Sequence, residues 1–404
     1  MISQSGLALD QLRRLPLTVF VFLLLNAHNS FANITPQAVA TEEAYFLLEE
    51  ISSRKDLFVV KVTGEAQVRK AREAIAGTNL TERFPIGKLV KAPACYNPGW
   101  SYHIEEVRFI TGYGIPTAYR LVEDGAAASL IDDIIGVPAT ILKELPKPDC
   151  TGSIAFHVSA ASYKRGNLTR EGLVSAFGSN MTTRMEAAAT VPLPTTLAGV
   201  TVTVEDGAGI KRLARLLFVS PTQINYVMPL DTGLGNATIT IDDGQGHLTK
   251  GYEFIRQEGP SLFTANGSGR GVAAGLLLKV RRDGTQTYEP LFEFDTTKQE
   301  FVPRTVGFER ADEDYYLVFY GTGIRGYQQP QVSVYGESNL GQVSYAGSQL
   351  GFAGLDQVNI RLAKEAAGSG LVRVGLGFSL PNNPANSRLT NYVEVKIGGV
   401  RATN

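Results

Sequence analysis

The chain has 404 residues, 44% hydrophobic and 19% charged, the make-up of a folded protein of about two to four domains and not of a disordered one. Its 38 basic and 39 acidic side chains leave a net charge of −1 with no basic stripe, so nothing electrostatic favours a nucleic-acid partner. Glycine, at 42 residues, exceeds its usual share, as many tight turns between strands require.

Residues 1–32 have the layout of a secretory signal. Arg13-Arg14 form the positive segment, Leu15 to Leu25 the apolar run, and Ser30-Phe31-Ala32 a cleavage site with small residues at the −3 and −1 positions. About 11 apolar residues fall short of the roughly 20 that span a bilayer, so the run reads as a removable leader and not an anchor. The residues after Arg13-Arg14 do not fit twin-arginine export, which leaves the general route. No later segment is apolar enough to cross a membrane as a helix. The expected location is secreted, periplasmic or cell-surface, with no transmembrane segment after signal removal.

From about 41 to 148 the texture is mixed. Leu57 to Val62 predicts a strand, followed by Thr63 at an N-cap position and Glu65 in a first turn. Val68, Ala71, Ala74 and Ile75 recur at helical spacing, and Gly77 supplies the stop. Ile86 to Val90 and His103 to Ile110 predict further strands. A second helix is expected from Thr117 through Leu121, Leu130, Ile131, Ile134 and Ile135, weakened by Gly125. The result is a small α+β domain. The two cysteines, Cys95 and Cys150, are expected to pair in an oxidising compartment. Their loop of 55 residues (150 − 95) would restrict the unfolded chain by roughly 4 kcal/mol on the chain-entropy model. A metal site needs more ligands than these and the scattered His103, His157 and His247 offer.

Within this region Phe58 to Val62, the helix Val68 to Ile75, Gly87 to Pro93 and above all Tyr96-Asn97-Pro98-Gly99-Trp100-Ser101-Tyr102-His103 carry a resemblance. Over roughly 100 residues it resembles the domain that opens a slime-mould calcium-dependent adhesion factor and occurs in many exported bacterial proteins. The resemblance implies secretion or adhesion and no settled activity. Family members often carry a cysteine after the strand ending here in Thr111-Gly112-Tyr113; this chain has none there, so the family's bridge does not transfer to Cys95.

After Pro146-Lys147-Pro148, a linker, helical periodicity gives way to short alternating runs. They are Val200 to Val204, Leu216 to Val219 and Ala237 to Ile241, then Val272 to Val280, Tyr315 to Tyr320, Gln331 to Tyr335, Val343 to Tyr345, Val358 to Leu362, Leu371 to Phe378 and Tyr392 to Ile397. One phrase occurs twice: Gln223-Ile224-Asn225 and Gln357-Val358-Asn359, 134 residues apart (357 − 223), each followed by a Gly-rich turn and a strand pattern. The repeat and the frequent turns predict two copies of an immunoglobulin-like β-sandwich. The block from Val158 to Tyr163, with Phe177 to Asn180, Pro192 to Leu197, Leu262 to Gly269, Tyr320 to Gly326 and Gly354 to Asn359, is similar to an uncharacterised module of exported acidobacterial proteins. It covers most of residues 156–398 and implies location and architecture only.

The motifs with catalytic or ligand-binding precedent are weak here. Gly321-Thr322-Gly323-Ile324-Arg325-Gly326 fits GxGxxG, but Pro330 and a β-patterned run deny the helix a dinucleotide needs. Asn266 to Gly271 is glycine-rich enough for an anion nest but lacks the lysine of a phosphate loop. No histidine has a partner at catalytic or metal-ligand spacing. The acidic pairs Glu105-Glu106, Asp132-Asp133 and Asp242-Asp243 offer oxygen to Ca²⁺ without an EF-hand spacing and read as solvated turns. The two Gln-x-Asn phrases read as amides that satisfy backbone groups where strands cross. Tyr96, Asn97, Trp100, Tyr102 and His103, which include the one tryptophan, are the candidate ligand-binding cluster; aromatic faces beside amides stack on a sugar or a partner's side chains. The competing reading is that they fill the small domain's core around a Pro98-Gly99 turn.

The expectation is a signal over 1–32, an α+β head over 41–150 and immunoglobulin-like sandwiches over 153–257 and 259–400. Function is expected to be exported, non-enzymatic binding or adhesion to an extracellular glycan or protein, with no cofactor and no catalytic or metal residues. The rival is a secreted hydrolase, or an accessory protein of one, with its site near His103.

Overall fold

The computed structural model describes residues 42–50, 57–79, 82–90, 94–97, 102–111, 134–136, 139–145, 147, 153–310, 312–326, 332–335, 340–380 and 383–399. The leader, Trp100 and Cys150 lie outside them. The described chain is mostly β-sheet, with several separate sheets and one α-helix.

The head has strands β1 (Glu43–Glu50), β2 (Leu57–Thr63), β3 (Glu82–Val90), β4 (His103–Thr111), β5 (Ile134–Gly136) and β6 (Ala139–Leu145), with helix α1 (Glu65–Ala76) after β2. They form two three-stranded sheets, ordered β2-β1-β6 and β4-β3-β5. Alternation decides the faces. Phe46, Leu48, Phe58, Val60 and Val62 point inward and meet Val68 and Ala71 of α1, while Tyr45, Leu47 and Val59 point the other way. Two expectations are corrected. Thr63 is not the cap of α1: it pairs with Glu43 as the last residue of β2, so the helix starts after Gly64, whose φ of 89° suits only glycine. Gly77, at φ 71°, ends the helix as expected. Ile134 and Ile135 belong to a strand, not a helix, because they pair with Lys88 and Gly87 of β3. The rest of that expected helix lies outside the described residues.

Residues 153–256 form two sheets packed face to face. One has the order Glu186–Ala187, Arg215–Val219, Gln223–Val227, Leu173–Phe177 and Phe156–Ser159; the other runs Thr196–Leu197, Val200–Asp206, Gly235–Asp242, Leu248–Arg256 and Ser153–Ile154. Val174, Ile224 and Tyr226 of the first meet Val202, Ile239 and Ile255 of the second in one core. Residues 261–397 repeat the arrangement. Gln286–Pro290, Gly275–Arg281, Glu313–Thr322, Asp356–Leu362 and Gly341–Ser348 make one sheet, and Gly271–Val272, Val393–Ile397, Gly370–Leu380 and Val332–Tyr335 the other. The expected strand Val272 to Val280 is two strands, since Ala273 turns aside to bond Glu394 and bridge to Thr264.

The repeated phrase has one geometry in both copies. Gln223 Nε2 donates to Asn225 Oδ1 at 3.0 Å, and Gln357 Nε2 donates to Asn359 Oδ1 at 2.7 Å. Within each phrase the two amides bond each other, because i and i+2 project from the same side of a strand. In both, a bulge on the neighbouring strand directly precedes the residue opposite the Asn, Phe218 in one copy and Tyr345 in the other. Both amide pairs lie on the outer face of their sheet, away from the core. There the two sheet pairs meet: Leu173, Leu217 and Val227 pack with Phe263, Tyr320 and Leu355. Thr322 Oγ1 accepts from Leu173 N at 2.7 Å across this contact, and Arg325 reaches Glu171 at 3.2 Å.

Gln223→Leu leaves the buried Asn225 acceptor without its donor and should lower stability by about 1–3 kcal/mol in chemical denaturation. Changing Asn225→Leu as well should recover part of the loss. Parent-like stability for the single variant would contradict the assignment.

Candidate functional site

Of the segment from Tyr96 to His103 the structure describes Tyr96, Asn97, Tyr102 and His103, and two of these are buried. Ala94 to Asn97 form a turn, closed by Asn97 N donating to Ala94 O at 2.9 Å. Asn97 is fully buried, and its Oδ1 accepts from Val59 N at 3.1 Å, tying the turn to β2. Tyr102 is 1% exposed and stacks on Phe58 at 5.6 Å. Tyr96 lies edge-on to Tyr45 at 5.3 Å and to His103 at 6.2 Å; burial, then the Glu105 charge, pushes its phenol above the usual range. His103 Nε2 is 3.1 Å from Glu105 Oε1. So Asn97 and Tyr102 hold the head together, and among the described residues of the predicted cluster Tyr96 and His103 are the partly exposed ones, with Glu105 beside His103. Cys95 sits exposed in the same turn, and no described cysteine is free.

Tyr96 also belongs to the seat of the head. Tyr45, Leu47 and Val59 on the outer face of the head sheet, with Tyr96, Leu142 and Leu145, pack against Phe254 of the first sheet pair. Beside them Arg256 donates to Glu49 of β1 and, through Nε, to Gly166 O at 2.6 Å, with its guanidinium 5.0 Å over the Phe254 ring.

The glycine motifs are structural. Gly321 lies within the strand Glu313–Thr322, and Ile324 N and Arg325 N donate to the buried Asp356, so the amides are already occupied. In the Asn266 loop Ser268 N, Gly269 N and Arg270 N are bonded to Asn266, Thr264 and Ser268 side chains, which leaves no converging amides for an anion. Asp242 and Asp243 bond the amides of their own turn. Asp132-Asp133 lie outside the described residues.

Three polar constellations had no sequence motif. Ser153 Oγ lies 2.7 Å from His247 Nε2, a nucleophile–base contact between residues 94 apart. Asp243 accepts the His247 backbone N–H and makes no hydrogen bond to its ring. Asp206 is a buried carboxylate that binds Arg212 at 2.6 Å and the amides of Ala208, Ile210 and Gly233; Arg212 first, then these amides, holds it down at about 2. His157 is fully buried, with Nδ1 3.1 Å from Tyr226 Oη, and its backbone N–H donates to Glu253, which also binds Arg165 at 2.9 Å. Burial, then Arg165, lowers His157 to about 3. Only the strand alternation that sends Glu253 inward signals this cluster in the sequence.

Residues 42–111 match the BP-74 N-terminal domain family. No curated protein sequence matches the chain. Among solved structures, domains 5-6 of the S-layer protein SbsC align with 12% identity over 61% of this chain and 99% of that one, at a TM-score of 0.18. An auxiliary nutrient binding protein from Bacteroides ovatus aligns with 10% identity over 64% of this chain and 73% of that one, at a TM-score of 0.16. Scores so low carry no argument about fold or function.

His157 is neutral in the fold and takes a proton in the unfolded chain below about 6.5. Its contribution to stability is therefore complete above that pH and is lost as pH falls toward 3. Between pH 7 and 5 the parent should lose about 2 kcal/mol more than His157→Gln in urea denaturation. Parallel pH profiles for the two would contradict this.

Proposed function

We propose that the protein is an exported binding or adhesion protein without enzymatic activity, in which the head over 41–150 recognises an extracellular glycan or protein. Two immunoglobulin-like sandwiches, over 153–257 and 259–400, serve as its scaffold and correspond to the module of exported acidobacterial proteins. The observation that carries this reading is the seat of the head: an apolar contact around Phe254 and the buried Arg256–Glu49 pair join it to the sheets. A recognition element held this way transmits load to its support. The family match over residues 42–111 supports the same reading. The leader over 1–32 and a Cys95–Cys150 disulfide belong to it as the marks of an exported chain.

The hydrolase reading moves from His103, which faces a carboxylate, to Ser153 and His247, which are in nucleophile–base contact. Ser153→Ala separates the two readings. On ester, peptide and glycoside substrates the parent should show no turnover that the variant lacks; a rate abolished by Ser153→Ala would establish the hydrolase.

Glycan and protein arrays probed with the exported full chain should give a saturable hit that a His103→Ala/Glu105→Ala variant weakens. A chain found in the cytoplasm, or one with no hit, would contradict the proposal. Thiol labelling of the denatured, unreduced protein should detect no reactive cysteine, and labelling of two would remove the disulfide.

A further inference from the structure

The turn over residues 160–167 touches all three parts of the chain. Gly166 O accepts from Arg256 Nε at 2.6 Å, and Arg256 in turn donates to Glu49 of the head. Arg165, one position earlier, binds Glu253 at 2.9 Å. Ser162 Oγ lies 2.9 Å from Ser261 Oγ of the second sheet pair. Along the strand Leu248–Arg256, alternation sends Phe254 and Arg256 outward to the head, and Glu253 and Ile255 inward between the sheets. One strand thus carries the seat of the head on its outer face and a buried ion pair on its inner face. Two successive residues of the turn, Arg165 and Gly166, bond one side each.

The inner cluster is closed to water and only partly satisfied. Glu253 is 3% exposed and Arg165 8%. The titratable groups around Glu253 are Arg165, His157, whose backbone N–H donates to Glu253 Oε1, and Tyr226, whose hydroxyl lies 3.1 Å from His157 Nδ1. Around Arg256 they are Glu49, Arg388 and Glu258. Among the described residues Glu253 Oε2 and His157 Nε2 have no hydrogen-bond partner, so compensation of the buried carboxylate rests on Arg165 and the His157 amide.

Withdrawal of Arg165 changes both titrations in one direction. Desolvation raises the Glu253 carboxyl and Arg165 opposes it; desolvation, then Arg165, depresses the His157 imidazole. With Arg165 gone, Glu253 loses the opposite charge that favours its ionised form, and His157 loses a like charge. Both groups bind a proton more tightly in that arrangement, so acid favours it.

We propose that the 160–167 turn is an acid-sensitive latch for the head: proton uptake by the Glu253–His157 cluster releases Arg165 to solvent, Gly166 moves with it, Arg256 loses its backbone acceptor and the head comes off its seat. The proton comes from bulk water, and Arg165 keeps its charge throughout. The latch concerns how the head is held and stands whether or not the head binds a glycan or protein.

Hydrogen exchange on the exported full chain at pH 7, 6 and 5, corrected for intrinsic exchange rates, is the test. The reporters are the strands Glu43–Glu50 and Ala139–Leu145 of the head, and the amides of Ser159 and Tyr163, which close the turn onto Lys164 O and Ser159 O. Opening of both sets should rise together as pH falls, by up to about tenfold per pH unit for each proton taken up. The strand Glu313–Thr322 of the second sheet pair should keep its protection, which separates release from unfolding. Glu253→Gln cannot titrate and leaves Arg165 without its countercharge. Its head should exchange at pH 7 as the parent's does at pH 5, with most of the pH response lost. Should that variant fail to fold, the parent series decides alone: head strands that open while Ser159 and Tyr163 stay protected, or no acid response in either set, would overturn the proposal. A Glu253→Gln variant with the parent's full acid response would overturn it too, by placing the titration at Glu49.

Discussion

Arg256 ends the strand Leu248–Arg256 and donates to Glu49 of the head, while Arg388 of the second sheet pair approaches the same Glu49 oxygen at 4.0 Å. One carboxylate thus sits where all three parts of the chain converge. Both partners are nearly excluded from water, so the charges depend on each other: removal of one strands its partner at a cost of about 3–5 kcal/mol. Phe254, two residues earlier on the same strand face, adds the apolar half of the joint. The head sheet's outer face would otherwise expose Tyr45, Leu47 and Val59.

A second joint, between the two sheet pairs, has a different chemistry. Leucine, phenylalanine and tyrosine side chains fill it, and the Gln-x-Asn amides stand on the sheet faces turned toward it. An amide bonded to its i+2 neighbour within the strand is a way to keep polar groups on a buried outer face. That both copies solve the problem alike, down to the bulge opposite the Asn, marks the phrase as architecture. Asp356, held by two amides and Arg325, extends the same joint toward Glu171.

Much of this was legible in the chain, and the failures have physical causes. The alternating strands and the helix Glu65–Ala76 follow from local pattern, because each buries a face whose period matches its geometry. Thr63 misled because strand pairing outcompeted its capping preference. The Ile134-Ile135 pair misled because a short apolar run suits helix and strand alike until a partner strand is known. Within the Tyr96–His103 cluster Asn97 and Tyr102 are buried, because the residue types that make a good recognition surface also make a good core. Ser153–His247 and His157–Tyr226 join residues about 70 to 94 positions apart, so no local spacing announces them.

These joints make the head a fixed part of one assembly, and the orientation of its surface is defined only if that holds. Hydrogen exchange on the full chain, parent against Arg256→Met, tests it most directly. The account predicts faster exchange in the strands Glu43–Glu50, Ala139–Leu145 and Leu248–Arg256, with the protection of Phe58–Val62 and of the second sheet pair's core retained. Unchanged exchange across those three strands would contradict it.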